Sequence, residues 1–169
     1  MPIDKTNENL LDSLTQMPNR AGWLAMVEGE LHKSSTSKAI LFIDLDRFKW
    51  VNDSLGHDAG DELLQLVSVS IKSVLKEASV NVNKPSRINI PGRMGGDEFV
   101  VLLQEIESVV QVEEIANRIV DVISQPIALK EAEVEIGASI GIASYPQDST
   151  SLNDLLKFAD LAMYRAKHS

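Results

Sequence analysis

Two pairs of carboxylates in this chain of 169 residues have the types and spacing that metal-assisted chemistry uses. Asp44 ends the apolar run AILFID, which is typical of a buried β-strand, and Asp46 follows two residues later. If the strand continues that far, both side chains point to the same side. Carboxylates at a strand end can hold Mg²⁺ with room left for water and substrate phosphate. The alternative is that these aspartates only end a strand and cap a loop.

The second pair, Asp97 and Glu98, lies in the stretch GRMGGDEFVVLL, directly after Gly95 and Gly96. The pattern predicts two strands joined by a tight turn at the glycines. Glycines remove side chains from the turn, so a flat or phosphorylated ligand can approach the main chain. The alternation of a strand predicts that the two carboxylates point to opposite faces. The alternative is a hairpin turn followed by a solvated acidic pair.

The elements that must position these carboxylates follow from the spacing of apolar residues. Helical spacing predicts three amphipathic helices, and Ser151 with Asp154 forms a capping box ahead of a fourth. Strands alternating with helices, plus one hairpin in the middle, predict an α/β (α+β) domain with a mixed central sheet flanked by helices. The predicted helices cover 20–32, 59–78, 112–124 and 155–167, and the predicted strands cover 39–44, the two arms of the glycine hairpin, and a strand region over 134–146.

Composition limits the partners of the chain. Lys and Arg number 16 against 25 Asp and Glu, and the net charge of −9 argues against nucleic acids and anionic membranes. The absence of cysteine excludes disulfides and thiolate metal sites. The start has no signal-peptide pattern, and no apolar run approaches the roughly 20 residues of a membrane span. We therefore expect one soluble, cytoplasmic domain over 1–169, excised from a longer protein that itself can be membrane-anchored.

The motifs of the chain resemble those of the GGDEF-domain diguanylate cyclases. GGDEF follows FIDLDRFKWVNDSLGHDAGDELL and precedes SIGIASYPQD and LLKFADLAMYRAK, in the order of that family. DSLTQMPNR at 12–20 is similar to the opening segment of the family, where we expect Asp12 and Arg20 to have structural roles in a salt bridge or a cap. The resemblance covers about 12–167. It implies a palm-like fold related to nucleotidyl cyclases, and a bacterial enzyme that condenses two GTP into cyclic di-GMP with release of pyrophosphate.

The resemblance also implies a metal site and a catalytic pair. Asp44 and Asp97, together with the backbone carbonyl of Leu45, match the positions that bind Mg²⁺ or Mn²⁺. Asp97 matches the residue that accepts the proton of the ribose 3′-hydroxyl group, and Glu98 stands beside it as the second catalytic carboxylate. Metal ions polarise the α-phosphate and lower the pKa of the attacking hydroxyl, so one positioned carboxylate can serve as the base.

The guanine of GTP is assigned by the same resemblance to Asn52 and Asp61. An amide and a carboxylate can pair with guanine N1–H and its 2-amino group, and adenine lacks that set of donors. His57 lies in the substrate-binding segment of the family. The alternative for His57 is a hydrogen bond within its own loop.

The phosphates of GTP are assigned to the turn after the first strand. The main-chain amides of Phe48 and Lys49 would cradle the terminal phosphates, and Lys49 and Lys167 would add positive charge. Gly95 and Gly96 would admit the nucleotide against the backbone. The alternative for Lys167 is an ordinary solvated lysine in the last turn of a helix, where the helix dipole favours it.

The chain departs from the family at the site where many members bind their product. Their R-x-x-D motif aligns with Ser86 and Asn89, so both charged residues are missing, and Arg87 is one place out of register. We therefore expect no inhibitory site here and weak or absent product inhibition.

Because one domain binds one GTP, the resemblance implies a transient homodimer with two half-sites face to face. It also implies a linked sensory or phosphodiesterase domain in the parent protein. The alternative function is a GTP-binding regulatory domain that controls a linked cyclic di-GMP phosphodiesterase, although such copies usually have a damaged GGDEF motif. A cyclase that makes a cyclic mononucleotide shares the fold but normally requires other base-reading residues.

Overall fold

The structure is a computed structural model that describes residues 9–33, 36–80 and 89–169. Within these ranges it has five helices and six strands. The helices are α1 (Arg20–Leu31), α2 (Phe48–Leu55), α3 (His57–Val80), α4 (Val109–Ser124) and α5 (Leu152–Lys167). The strands are β1 (Lys38–Asp46), β2 (Ile90–Gly95), β3 (Glu98–Leu103), β4 (Ile127–Ala128), β5 (Glu133–Val134) and β6 (Gly137–Tyr145).

A four-stranded sheet with the order β2-β3-β1-β6 forms the centre of the fold. The predicted α/β architecture with a central sheet flanked by helices is confirmed, but the prediction of a mixed sheet was wrong. Every pair of neighbouring strands in this sheet is antiparallel. The alternation of strand and helix suggested parallel neighbours, and β1 and β2 do run in the same direction. However, the hairpin inserts β3 between them, so each pairs with a strand of the opposite direction.

Two hydrophobic layers cover the two faces of the sheet. On one face, alternate residues of β1 such as Leu41 and Ile43 pack with Phe99 and with the apolar sides of α3 and α4. On the other face, Ile40 and Phe42 pack with α1 and α5. Burial on both faces explains why the sequence of β1 is a continuous apolar run. The strand ends where Asp44 and Asp46 replace the apolar residues of the second face.

Most predicted helices and strands are confirmed within a few residues. Ser151 caps α5 by accepting a hydrogen bond from the amide of Asp154, as the capping box predicts. The predicted strand over 134–146 divides, because β5 pairs with β4 in a separate two-stranded sheet and only β6 joins the central one. Sequence analysis did not predict α2, an eight-residue helix in which Val51 is the one buried residue. None of the helices in the described ranges is long and apolar enough to cross a membrane.

Helix α5 lies directly against β6 because Gly141 has no side chain. A Cβ atom on Gly141 would overlap the main chain of α5 at Ala159 and Met163. This close approach fixes the helix that carries Lys167 relative to the sheet that carries Asp44.

We therefore expect Gly141→Ala to lower the free energy of unfolding by about 3 kcal/mol, because backbone atoms cannot move aside as a flexible side chain can. Gly29→Ala is the matched control, since Gly29 is in α1 and a Cβ there would meet nothing within 4 Å. The control should gain up to about 1 kcal/mol from the better helix propensity of alanine. Urea denaturation measures both, and equal stability of the two variants would contradict the close packing.

Candidate active site

The register of β1 and β3 brings the two predicted carboxylate pairs to one edge of the sheet. Asp44 is the cross-strand partner of Glu98, and the amide of Leu45 donates to the carbonyl of Asp97 over 3.2 Å. In a strand the N–H and C=O of one residue point to the same side, so the Leu45 carbonyl is also directed towards the hairpin. The strand-end residues and the GGDEF turn thus form one site.

Asp97 lies in the turn rather than in β3, which begins at Glu98. The strand alternation that predicted opposite faces for Asp97 and Glu98 therefore does not apply to Asp97. Burial, the negative charge of Asp44 and a hydrogen bond shared with Asp44 raise the pKa of Asp97 to about 6. The two carboxyl groups are close enough to share a proton, and the negative charge of Asp44 makes it costly for Asp97 to ionise.

Lys167, in the last turn of α5, supplies the positive charge nearest to this pair. Its Nζ atom donates to Asp44 Oδ2 over 2.7 Å and lies 3.8 Å from Asp46 Oδ1. Burial lowers the pKa of Lys167, but the hydrogen bond to Asp44 and the charges of Asp44, Asp46 and Asp97 outweigh it and raise the pKa overall. Lys167 is thus part of the site, and the alternative of an ordinary solvated lysine does not describe it.

The prediction that Asp44 and Asp46 point to the same side is confirmed, because β1 extends to Asp46. Asp46 accepts a hydrogen bond from Ser139 Oγ at 3.1 Å from Oδ1. Gly137, its partner on β6, gives the carboxylate room. Asp46 is therefore held by β6, whereas Asp44 faces the hairpin.

Glu98 is a half-buried carboxyl group surrounded by other acids. Burial raises its pKa, the charges of Asp44, Asp160 and Asp97 add to this effect, and Arg20 opposes it. Arg20 is the first residue of α1, so the opening segment of the chain contributes a cation to the site.

The residues present fit a divalent metal ion. Asp44 Oδ1 is buried, and no nitrogen or hydroxyl group in the described ranges donates to it. Such an atom requires a cation or a proton. In the same ranges, no three His, Cys, Asp or Glu side chains form a group that could hold a metal by themselves. Mg²⁺ needs no such cage, because one or two carboxylates and substrate phosphates usually suffice. Asp44, Asp97 and the Leu45 carbonyl would hold the ion.

Gly95 and Gly96 form the tip of the hairpin with φ angles of 150° and 49°. These values lie in the region that favours glycine, so the sequence signal for the turn was correct. Sequence analysis missed what holds the tip. Arg93 Nε and Nη2 donate to the carbonyl of Gly96 over 3.1 and 2.9 Å, and Nη1 donates to both carboxylate oxygens of Asp12. The expected salt bridge of Asp12 is confirmed, and its partner is in β2.

The predicted guanine ligands lie on the helical pair α2 and α3. Asn52 packs against the first turn of α3, because Gly60 has no side chain there and a Cβ atom would overlap the amide group of Asn52. Asp61 follows Gly60 directly. His57 and Asp61 line a groove of about 870 Å³ whose wall includes Leu14 of the opening segment. The structure thus gathers Asn52, His57 and Asp61 at one end of the α2–α3 pair.

The segment predicted as a turn after β1 is the first turn of α2, so the structural context of Phe48 and Lys49 needs correction. Arg47 precedes the helix with a φ of 71° and makes no side-chain cap. The first intrahelical bond runs from the amide of Val51 to the carbonyl of Arg47. The amides of Phe48 and Lys49 precede this bond and have no partner from within the helix. A helix start suits the predicted phosphate contacts as well as a turn does.

The predicted loss of the product site falls partly outside the described residues, because Ser86 and Arg87 lie there. Asn89 is described, and its Oδ1 atom accepts a hydrogen bond from the amide of Gln104 over 3.0 Å. Asn89 thus has a structural contact with the end of β3.

Together, the antiparallel sheet, its two helical layers and the acidic edge define a palm-like α/β domain in which strand-end carboxylates meet a glycine hairpin. The family profile for "Diguanylate cyclase, GGDEF domain" matches residues 9–169. The chain belongs to this GGDEF-domain family.

The chain is also similar to individual proteins with GGDEF domains, in sequence and in structure. The chain is 39% identical over 160 residues to diguanylate cyclase TpbB of Pseudomonas aeruginosa, covering 92% of this chain and 34% of that protein. It is 36% identical to cyclic di-GMP phosphodiesterase NbdA of the same species, covering 92% of this chain and 19% of NbdA. A crystal structure of a sensory box/GGDEF family protein from Caulobacter crescentus is 34% identical, with a TM-score of 0.78, covering 94% of this chain and 98% of that one. The chain thus spans about a third of the length of TpbB and about a fifth of the length of NbdA.

The raised pKa of Asp97 predicts a pH-dependent stability. The folded pKa of about 6 lies above the value near 3.9 of an unfolded aspartate, so protonation favours the fold. This contribution is present below about pH 4 and is lost as the pH rises through 6. Asp97→Asn should therefore have a higher Tm than the parent protein at pH 8, and the difference should shrink towards pH 4.

Thermal denaturation across this pH range measures the effect. The control is Asp121→Asn, an exposed aspartate on α4. A gain for Asp97→Asn that is the same at every pH would show that the two carboxyl groups are not coupled.

Proposed function

We propose that the domain condenses two molecules of GTP into cyclic di-GMP with release of two pyrophosphates, with Mg²⁺ or Mn²⁺ as cofactor. Each 3′-oxygen attacks the α-phosphate of the other nucleotide, so two phosphodiester bonds form while two bonds to pyrophosphate break. The relative TpbB is named a diguanylate cyclase, which supports this activity for a chain with intact GGDEF residues.

The observation that carries the proposal is the pairing of Asp44 and Asp97. A base for the 3′-hydroxyl group works best when its pKa is near the working pH, and the pKa of Asp97 is raised to about 6. Asp97 accepts the proton, and Glu98 beside it maintains the negative field of the site. A bound metal ion would polarise the α-phosphate and make the attacking hydroxyl more acidic.

One set of contacts recognises the guanine base of the substrate, and a second set binds its phosphates. Asn52 and Asp61 bind the guanine edge, and His57 lines the same groove as Asp61. The amides of Phe48 and Lys49 at the start of α2 receive the terminal phosphates, because a helix start offers unpaired N–H groups and a positive dipole. Lys167 offsets the negative charges of these phosphates and of Asp44. Gly95 and Gly96 leave the turn open to the nucleotide.

A second candidate function is supported by the relative NbdA, whose name is that of a cyclic di-GMP phosphodiesterase. In this case the domain binds GTP without turnover and controls a linked phosphodiesterase domain. The two functions differ in product formation, while both require GTP binding.

We also propose that the chain is one GGDEF domain of a longer protein with a sensory or phosphodiesterase domain, and that it functions in the cytoplasm, where GTP is supplied.

Because each domain binds one GTP, the working species is a transient homodimer with no nucleic-acid partner. Turnover per molecule should therefore rise with protein concentration. Ser86 and Asn89 stand in place of the charged residues that bind the product in many family members, so we propose weak or absent product inhibition. Cyclic di-GMP added to the same reaction should therefore slow it little.

The first experiment incubates the domain at high concentration with GTP and Mg²⁺ and identifies the products by mass spectrometry. Cyclic di-GMP is expected, and Asp97→Asn should reduce its rate by at least about 100-fold, because loss of the base and of a metal ligand acts on the reaction itself. Asp121→Asn is the control and should keep full activity. GTP binding without any product would reject the cyclase in favour of the regulatory domain.

Gly60→Ala tests the guanine site without changing a ligand. The new methyl group would displace the flexible amide group of Asn52, so the fold should tolerate it while guanine binding weakens. We expect an affinity for GTP about 10-fold lower, similar to the effect of Asn52→Ala, since one base-reading contact is lost. Calorimetry with GTP measures this, with Gly29→Ala as the control. An unchanged affinity in Gly60→Ala would contradict the role of Asn52.

A further inference from the structure

The GGDEF turn has little of its own to hold it in place. Gly95 and Gly96 lie in open space, since Cβ atoms there would meet nothing within 4 Å. A register shift between Arg93 and Gly95 also interrupts the pairing of β2 with β3 just before the tip. Two glycines in such a turn allow many backbone conformations. Asp97, however, must keep its carboxyl group beside Asp44, so contacts from outside the turn must restrict it.

One such contact is the hydrogen bond from the Leu45 amide to the Asp97 carbonyl, and Arg93 provides the others. Two of its nitrogens, Nε and Nη2, converge on the carbonyl oxygen of Gly96, which belongs to the peptide group that leads into Asp97. The third nitrogen, Nη1, lies 3.0 and 3.1 Å from the two carboxylate oxygens of Asp12. The guanidinium group thus joins the turn to the opening segment, and the side chains of Arg93 and Asp12 are only 15% and 18% exposed.

Asp12 is itself firmly held. Its Oδ2 atom accepts hydrogen bonds from the amide and the hydroxyl group of Thr15, over 2.9 and 2.7 Å. In the main chain, the amide of Asp12 donates to the carbonyl of Met17, and the carbonyl of Asp12 accepts from the amide of Gln16. An acceptor that is fixed by its own loop can orient the arginine that binds it, rather than follow its motion.

The opening segment is in turn joined to β2, the edge strand of the hairpin. The amide of Arg93 donates to the carbonyl of Pro18 over 2.9 Å. At the start of the same strand, Trp23 Nε1 of α1 donates to the carbonyl of Ile90 over 2.8 Å. These bonds give Arg93 a defined position from which its side chain reaches the tip. A continuous series of hydrogen bonds therefore links the opening segment to the GGDEF turn.

We propose that Arg93 is a positioning residue which, anchored by Asp12, fixes the Gly96 carbonyl and thereby sets the place of the Asp97 carboxylate. Its catalytic consequence rests on the proposed cyclase function. Arginine suits this role because its planar group presents several donors in a fixed fork. Lysine has one flexible point charge and cannot hold the carbonyl and the carboxylate in the same geometry.

Arg93→Lys keeps the charge and removes the fork, so it separates positioning from electrostatics. The first measurement is the NMR order parameter of the backbone amides of Gly96 and Asp97 in the ligand-free protein. We expect values near those of rigid backbone, about 0.85, in the parent protein and below about 0.6 in Arg93→Lys. Arg118→Lys is the matched control, because Arg118 pairs with Glu77 on the exposed surface of α3 and α4.

The second measurement is steady-state kinetics with GTP. Arg93→Lys should lower kcat by roughly 10- to 100-fold, since a small displacement of a reacting group has this effect. KM should change by less than about threefold, because guanine and phosphate contacts lie elsewhere. Asp12→Asn should lower kcat less. The double variant should be no slower than Arg93→Lys within about twofold, because both substitutions act through one contact.

The outcomes distinguish this proposal from the proposed function. If the parent protein makes no cyclic di-GMP, the cyclase function fails, and the order parameters alone decide whether Arg93 fixes the turn. An Asp97 amide that stays rigid in Arg93→Lys overturns the proposal. Equal changes in kcat and KM together with a lowered Tm would also overturn it, because they would assign Arg93 a general folding role.

Discussion

The close approach of the carboxyl groups of Asp44 and Asp97 is the constraint on which the rest of the site depends. Two negative groups in a partly buried position repel each other, and burial adds to the cost of their charge. The raised pKa of Asp97 is the direct expression of this cost. The cost can be met only if the packing of the domain holds both groups in place, and if positive charge is brought to them.

The two carboxylates are held in different ways. Asp44 belongs to a central strand that is buried on both faces, with neighbours on both edges. Asp97 belongs to a glycine turn at the end of an edge hairpin, where regular packing gives no support. The site therefore combines a rigid half, set by the core, with a half that relies on specific polar contacts such as those of Arg93.

Positive charge reaches the site from the two ends of the described chain. Lys167 comes from α5, whose distance from the sheet is set by Gly141, and Arg20 comes from the start of α1. With a net charge of −9, the domain as a whole repels anions, so a phosphorylated ligand depends on these local cations, on a metal ion and on helix N-termini. The proposed guanine ligands lie on α2 and α3, away from the sheet edge that carries Asp44 and Asp97, so base recognition and metal-assisted chemistry are arranged by different parts of the chain.

The sequence alone determined the positions of most helices and strands, the glycine hairpin and the acidic strand end, because apolar period and turn residues are local signals. Its motifs also identified the family and the candidate ligands. The tertiary structure decided what depends on distant contacts: the antiparallel order that places β3 beside β1, the pairing of Lys167 with Asp44 and the contact of Arg93 with Asp12 and Gly96. The existence of α2 also became clear only in the tertiary structure, because a helix of eight residues is too short to show a clear helical period in the sequence. These features depend on side chains far apart in the chain, and no local pattern can specify which of them meet.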